Sequence, residues 1–148
     1  MILSYVESQL PALVAIPGMK LGLTNIVVLF ALYAMDSKAA AFINLVRILL
    51  VALLFGTALS FVFSLAGGIL SFLVMFLLKK TDRLGITGVS AAGGVSHNIG
   101  QILVAMAAMN TKAITLYLPV LWITGIFSGV LIGIIGSIIV SRVKIKDA

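Results

Sequence analysis

The sequence has no cysteine, and this absence excludes disulfide bonds and thiolate metal sites. Charge is also scarce, since Asp, Glu, Lys and Arg make up only 9% of the 148 residues. Soluble domains carry about a quarter charged residues, so an ordinary soluble domain is excluded. The net charge of +6 does not indicate nucleic-acid binding, because the basic residues lie at the ends of apolar runs. We therefore expect no nucleic-acid partner.

The chain is rich instead in apolar residues. Hydrophobic residues form 62% of it, a larger fraction than a small globule can bury, and the mean hydropathy is +1.30. The apolar runs are long and do not alternate, which favours helices over soluble strands or a membrane barrel. The sequence therefore predicts an all-α integral membrane bundle of about six transmembrane helices, forming a single domain over residues 1–148 in a lipid bilayer.

Short charged or Gly/Pro segments divide the chain into six apolar runs. The first covers residues 1–10, is interrupted by Glu7 and stops at Pro11. At about 1.5 Å per residue it is too short to cross the bilayer core. It either pairs with residues 10–16 as a broken helix or continues a longer natural segment, and it lacks the features of a signal peptide. The other runs cover residues 21–35, 39–55, 57–78, 86–109 and 116–140.

Basic residues predict the orientation of these runs, because cytoplasmic loops are enriched in Lys and Arg. The loop 79–83 and the tail after residue 140 are basic, so both are predicted to be cytoplasmic. The loop 110–115, with Lys112 alone, is predicted outside. Counting back places residues 36–38 inside and residues 11–20 outside, and the N-terminus inside if the first run crosses.

Arg47 is an ionisable residue near the middle of the third run, and Asn44 lies one turn before it. Such residues usually face the bundle interior or a water-filled cavity. Arg47 is either a counter-charge for an anionic ligand or a structural partner of Glu7 or of backbone carbonyls. The residue pattern leaves these two alternatives open.

Three polar side chains occur close together in the fifth run. His97 and Gln101 share a helix face because they are four residues apart, and Asn98 lies next to that face. Each needs a partner at membrane depth, so the group favours a ligand or cavity face over a purely structural role. No second His and no carboxylate occurs on this run, so we expect no metal site.

Lys20 follows the Pro17-Gly18 pair, where the second run begins as a helix, and Asn25 lies in its first turns. A cation is unfavourable at a helix N-terminus. Lys20 therefore either binds an anionic group together with the N–H groups of the helix or extends to the membrane interface.

Small residues recur at every fourth position in two runs, a spacing that lets helices approach closely. This pattern indicates packing within the bundle, taken as the default, or docking onto another membrane subunit. The residues are Gly125, Gly129 and Gly133 in the sixth run, and Ser60, Ser64 and Gly68 in the fourth.

Several catalytic motifs are missing from the sequence. There is no Walker A motif, so the chain is not expected to hydrolyse ATP. Asp36, Asp82 and Asp147 are isolated at helix ends, whereas Mg²⁺-dependent prenyl-diphosphate chemistry needs clustered carboxylates. No nucleophile–base pair is evident either. We expect neither catalysis nor a cofactor.

Four segments together resemble a known family, and they occur in the right order over nearly the whole chain. They are Pro17-Gly-Met-Lys-Leu-Gly-Leu-Thr-Asn25, Val46-Arg-Ile-Leu-Leu50, Phe63-Ser-Leu-Ala-Gly-Gly68 and Gly94-Val-Ser-His-Asn-Ile-Gly-Gln101. The family is labelled "Gx transporter" and also heptaprenyl diphosphate synthase component I. It resembles the substrate-binding S components of energy-coupling factor (ECF) transporters. This resemblance implies six helices, both termini in the cytoplasm and a substrate site toward the outer face.

The resemblance also implies a function. It suggests a subunit in a bacterial cytoplasmic membrane for uptake of a small polar or anionic solute of the vitamin or cofactor type. A transmembrane coupling protein and cytoplasmic ATPases would supply the energy. Residues 17–20 would lie near the outer mouth and Asn25 would face the cavity. The substrate-binding candidates are Lys20, Asn25, Arg47, His97, Asn98 and Gln101.

The second family label implies an alternative, a membrane subunit associated with heptaprenyl diphosphate synthesis. The missing carboxylate motif argues against a catalytic role of that kind. The sequence also departs from the family in its short first run. That run offers only Ser4 and Ser8 as small residues for engaging a coupling protein.

Overall fold

The computed structural model describes residues 24–55, 57–110 and 113–146. Lys20 and the first apolar run lie outside these ranges. The described residues form five α-helices and one 3-10 helix, so the predicted all-α class is confirmed for them. The helices are α1 (Asn25–Ala34), α2 (Ser37–Phe55), α3 (Ala58–Thr81), α4 (Ile86–Met109) and α5 (Leu118–Lys146), with the 3-10 helix Ala113–Tyr117 directly before α5.

Three helical segments are long and apolar enough to cross a membrane. They are Ser37–Leu54, Ala58–Thr81 and Ala113–Val143, and by length and composition the chain is a helical membrane protein. Helix α4 is about 36 Å long but less apolar than these three segments, because it contains several polar residues. These polar residues face the interior. The prediction of six crossings is not confirmed, since the first run lies outside the described residues.

Helix ends fall where the sequence supplies capping residues. The carboxylate of Asp36 accepts a hydrogen bond from the Ala39 amide (2.6 Å), and the Thr57 hydroxyl accepts one from the Ser60 amide (3.2 Å). These bonds satisfy orphan N–H groups at the starts of α2 and α3. At the ends of α3 and α4, Asp82 and Asn110 adopt left-handed conformations with φ of 53° and 47°. Asp and Asn are the non-glycine residues that tolerate this conformation best.

Helix α4 lies at the centre of the bundle and packs closely against α5. A Cβ atom at Gly129 would lie 2.6 Å from the Cα atom of Ala91, and one at Gly133 would lie 2.5 Å from the Cα atom of Thr87. The order of these contacts shows that α4 and α5 are antiparallel. Gly125, Gly129 and Gly133 therefore face the α4 backbone in the isolated chain.

The predicted small-residue set of α3 has a different arrangement. Gly68 faces α2, where a Cβ atom would lie 2.7 Å from Cδ1 of Ile48. The amide of Ser60 belongs to the helix cap, and Ser64 is half-buried.

Two apolar clusters fill the bundle interior. Near the loop between α1 and α2, the first cluster includes Val28, Leu29, Leu32, Met75, Val89 and Ile132. Toward the opposite end, the second consists of Phe63, Ile102, Ala105, Ile114 and Leu121. Polar side chains occupy the level between these two clusters.

The loops lie at the two ends of the bundle, and one of these ends is basic. Lys79 donates a hydrogen bond to the Leu32 carbonyl oxygen, so the C-terminal ends of α1 and α3 lie together. The antiparallel packing of α5 on α4 brings Arg142 to this end as well. We call it the basic end; Lys38, Lys80 and Arg83 are exposed there. The loops predicted to share one side of the membrane thus share one end of the bundle, and their cytoplasmic placement stays a prediction.

Candidate functional site

Eight polar residues lie at the level between the two apolar clusters, and we call this set the polar layer. It consists of Thr24, Asn25, Asn44, Arg47, Ser71, His97, Asn98 and Gln101. Seven of these side chains are buried and Arg47 is half-buried. Arg47 lies ten residues after the start of α2, and His97 lies eleven after the start of α4. At about 1.5 Å per residue, the layer is about 15 Å from the basic end, near the middle of a bilayer core.

Arg47 and Asn44 form the α2 part of the layer. One guanidinium nitrogen of Arg47, Nη1, donates to the Thr24 hydroxyl. The other, Nη2, donates to the side-chain oxygen of Asn44 over 2.8 Å, and the Asn44 amide nitrogen donates to the Gly68 carbonyl over 3.0 Å. The Asn44 amide therefore joins the cation on α2 to the backbone of α3.

Helix α1 contributes its N-terminal end to the layer. Thr24 is its N-cap residue, and the side chain of Asn25 donates to the Ser71 hydroxyl over 3.1 Å. An α-helix N-terminus is equivalent to about half a positive charge. The positive end of α1 therefore lies beside the guanidinium of Arg47, halfway through the predicted membrane.

His97 and Gln101 form the α4 part of the layer. Nε2 of His97 and Nε2 of Gln101 are 2.8 Å apart, and both residues are buried. If the Gln101 amide donates, Nε2 of His97 is the acceptor and the neutral ring carries its proton on Nδ1. The ring lies against α3, because a Cβ atom at Gly67 would be 2.9 Å from both Nδ1 and Cε1.

Asn98 faces α5 rather than α3. Its amide nitrogen donates to the Leu121 carbonyl over 2.7 Å, and Gly125 leaves room for it, since a Cβ atom there would lie 2.9 Å from Nδ2. The Asn98 oxygen Oδ1 is buried and has no hydrogen-bond partner within the described structure. Asn98 thus links α4 to α5, on a different face of α4 from His97.

The structure brings together only some of the predicted site residues. Asn25 and Arg47 join the layer through Thr24, Asn44 and Ser71, whereas His97 and Gln101 lie across the Gly67-Gly68 pair of α3. Lys20 and the turn at residues 17–20 lie outside the described residues. Asn25 was expected by resemblance to face a cavity; in the structure it is buried and its side chain donates to Ser71 of α3.

Ser71 is a member of the layer that the sequence analysis missed. It lies three residues after Gly68, so it extends the small-residue face of α3 that was already evident. Thr24, Asn44 and Gly67 were visible in the sequence but were not selected as site residues. The spacing of Asn44 and Arg47, one turn apart, was the available signal for Asn44.

The chemistry of the layer is that of hydrogen-bond donation to an anion or a polar group. Its eight side chains are one guanidinium, four amides, two hydroxyls and one imidazole. Within the described ranges, no three His, Cys, Asp or Glu residues come together in a way that could hold a metal ion. The layer is therefore suited to recognising charge and polarity.

Comparison with known proteins identifies one family. The family model described as heptaprenyl diphosphate synthase component I matches residues 1–139. No curated protein and no solved structure gives a significant match. The family resemblance inferred from the four sequence segments is thus confirmed, and the further likeness to S components stays a prediction.

Proposed function

The chain belongs to the heptaprenyl diphosphate synthase component I family, and we propose that it is a non-catalytic membrane subunit that binds an anionic small molecule at the polar layer. The main supporting observation is the meeting of Arg47 with the N-terminal end of α1 at mid-membrane depth. A charged residue at a helix centre costs about 2.5–3.5 kcal/mol to insert. An anionic group bound beside Arg47 and the α1 N-terminus would offset part of this cost.

A non-catalytic role is supported by where the carboxylates lie. The two described acidic residues, Asp36 and Asp82, lie at the basic end, about 15 Å from the layer by helix rise. Diphosphate chemistry with Mg²⁺ needs clustered carboxylates close to the phosphates. We therefore assign any catalysis to another chain of the complex.

The family description supports prenyl-diphosphate synthesis as the setting better than it supports transport. In this setting the ligand is an allylic prenyl diphosphate or its product, with the diphosphate near Arg47. An apolar groove of about 390 Å³ lies between α3 and α4, lined by residues that include Ala66, Leu70, Gly100 and Leu103. Such a groove is suited to an isoprenoid chain, because its lining is almost entirely apolar.

Solute uptake is the second candidate setting, and a feature of α1 favours it. Helix α1 is only about 15 Å long, and its N-terminus ends at the polar layer. Transporters commonly direct such half-helix N-termini at anionic substrates near the bilayer midplane. In this setting the subunit would bind a vitamin- or cofactor-type anion. A coupling protein and ATPases in the bacterial cytoplasmic membrane would drive uptake.

Native mass spectrometry of the protein extracted in mild detergent tests the proposal. We expect the wild-type chain to retain an anionic small molecule, and Arg47→Gln to lose it. Arg142→Gln is the matched control, because Arg142 is an exposed cation on α5 and should leave retention unchanged. A wild-type chain without a ligand, or equal retention by Arg47→Gln, contradicts the proposal.

The mass of the ligand and the co-purifying subunits distinguish the two settings. A prenyl diphosphate, together with restored chain elongation when a catalytic partner is added, indicates the synthase setting. A water-soluble anion that co-purifies with ATPase subunits indicates uptake.

A structural ion pair between Arg47 and Glu7 is the alternative to ligand binding by Arg47. If Arg47 is held by Glu7 for structural reasons, Glu7→Gln and Arg47→Gln should lower Tm by similar, non-additive amounts. We expect Glu7→Gln to leave ligand retention unchanged and Arg47→Gln to abolish it.

A further inference from the structure

Helix α1 is joined to α3 near both of its ends. At its N-terminal end the Asn25 side chain donates to the Ser71 hydroxyl over 3.1 Å, across 46 residues of sequence. At its C-terminal end the Lys79 ammonium donates to the Leu32 carbonyl oxygen, across 47 residues. The two bonded pairs have nearly the same sequence separation, so α1 and α3 run in the same direction with a fixed axial register.

Helix geometry makes this pair of bonds sensitive to sliding. Asn25 and Leu32 are separated by about 10.5 Å of helix rise, and Ser71 and Lys79 by about 12 Å. The two bonds therefore fit one axial position of α1. A slide of one residue, about 1.5 Å, would break at least one of them and move Thr24 away from Arg47.

Lys79 is placed differently from its neighbour Lys80. Lys79 is half-buried, with its ammonium 5.1 Å from the centroid of the Tyr33 ring, whereas Lys80 is exposed. The Leu32 oxygen belongs to the last turn of α1, where carbonyls lack partners within the helix. A cation at this end is also favoured by the helix dipole and by the aromatic ring.

Apolar packing holds α1 as well, but with less directional precision. Val28 and Leu29 are buried in the first cluster, and Leu29 lies against α5, where a Cβ atom at Gly136 would be 2.8 Å from its Cδ2. Apolar burial is non-directional, so these contacts keep α1 in the bundle without selecting one hydrogen-bonding register.

We propose that Lys79 is a positioning residue for the polar layer. By holding Leu32, it sets the depth at which α1 presents Thr24 to Arg47 and Asn25 to Ser71. The link from register to ligand binding rests on the proposed function, whereas the register claim does not. A residue at the basic end thus acts on a site about 15 Å deeper in the membrane.

Cross-linking measures the register directly, since the chain contains no cysteine of its own. The in-register pair is Asn25→Cys with Ser71→Cys, and the shifted pair is Asn25→Cys with Met75→Cys, one turn away. With Lys79 present, a short bis-thiol reagent should link the first pair several-fold faster than the second. Lys79→Met should reduce this preference to near parity, and Lys80→Met should preserve it.

Lys79→Met keeps an unbranched apolar side chain of similar length, so it removes the donor with little loss of packing. Lys79→Arg keeps a charged donor and should restore most of the preference, a result that a merely structural role for the stem would not give. Equal preference in the Lys79→Met and Lys80→Met backgrounds overturns the proposal, as does a failure of Lys79→Arg to restore it. Gel filtration shows whether each variant is folded, and Lys79→Arg serves as the test if Lys79→Met is not.

Ligand retention, measured by native mass spectrometry with Asn25 and Ser71 intact, completes the test. Lys79→Met should retain several-fold less of the molecule that co-purifies with the wild type, and Lys80→Met should retain the wild-type amount. A changed register with no ligand on the wild type contradicts the proposed function alone. A changed register with full retention contradicts the link between register and site.

Discussion

The side-chain oxygen of Asn44 lies 2.8 Å from Nη2 of Arg47, and the nitrogen of the same amide lies 3.0 Å from the carbonyl oxygen of Gly68. One amide thus satisfies a guanidinium and a backbone carbonyl on different helices, at a depth where water is scarce. Its orientation is fixed, because the donor and acceptor ends cannot be exchanged.

Replacing Asn44 with Ala should therefore destabilise the protein by about 1–3 kcal/mol, because a donor and an acceptor both lose their partner in a buried site. Thermal unfolding in detergent checks this. Ser141→Ala is the control, since Ser141 is exposed and its hydroxyl donates to Ile138 within α5. Equal Tm values for the two variants would show that the Asn44 bridge is energetically unimportant.

Gly67→Ala should separate α3 from α4. The new Cβ atom would lie 2.9 Å from the His97 ring and 2.9 Å from the His97 carbonyl oxygen, which cannot move alone. We expect a loss of about 1–3 kcal/mol, typical of overpacking. Gly85→Ala is the matched control, because no atom lies within 4 Å of its Cβ position. Thermal unfolding of both variants in the same detergent measures the difference. If Gly85→Ala lowers Tm as much as Gly67→Ala, the steric explanation is wrong.

Gly129→Ala distinguishes internal packing from docking. Its Cβ atom would lie 2.6 Å from the Ala91 Cα atom and 2.7 Å from the Ser90 carbonyl oxygen, both in the α4 backbone. We expect a Tm well below that of Leu131→Ala, a variant on the exposed face of α5. If the glycines served docking instead, the isolated Gly129→Ala chain would keep its Tm and lose only a co-purifying partner.

The orientation of the bundle can be tested with single cysteines. Arg83→Cys, at the basic end, should react with an impermeant thiol reagent only in inside-out vesicles. Leu116→Cys, at the opposite end, is exposed and should react in right-side-out vesicles. The reverse pattern would show that the positive-inside rule fails for this chain.

The extent of α4 was predictable from the sequence to the residue, because Gly85 and Asn110 punctuate a long run at both ends. The end of α5 was not. Its apolar run stops near residue 140, yet the helix continues to Lys146, since Lys and Arg are good helix formers and a helix C-terminus favours cations. Likewise α3 continues past residue 78 to Thr81, and Lys79 in this extra turn reaches Leu32.

The residue types of the polar layer were predictable from the sequence, but their hydrogen-bond partners were not. His97 and Asn98 are adjacent in sequence, and side chains on neighbouring helical positions point about 100° apart. Which of them meets α3 and which meets α5 depends on where Gly67 and Gly125 leave space. That depends on tertiary packing, which a single sequence does not reveal. Ser71 extends the small-residue face of α3, but its partner Asn25 lies 46 residues away, and that pairing also depends on tertiary packing.

The two apolar clusters separate the polar layer from the two ends of the described bundle. Phe63, Ile102 and Leu121 close the described interior on one side, and Leu32, Met75 and Val89 close it on the other. Each cluster consists of apolar side chains, which offer water no hydrogen bonds, so the groups of the polar layer depend on partners within the protein.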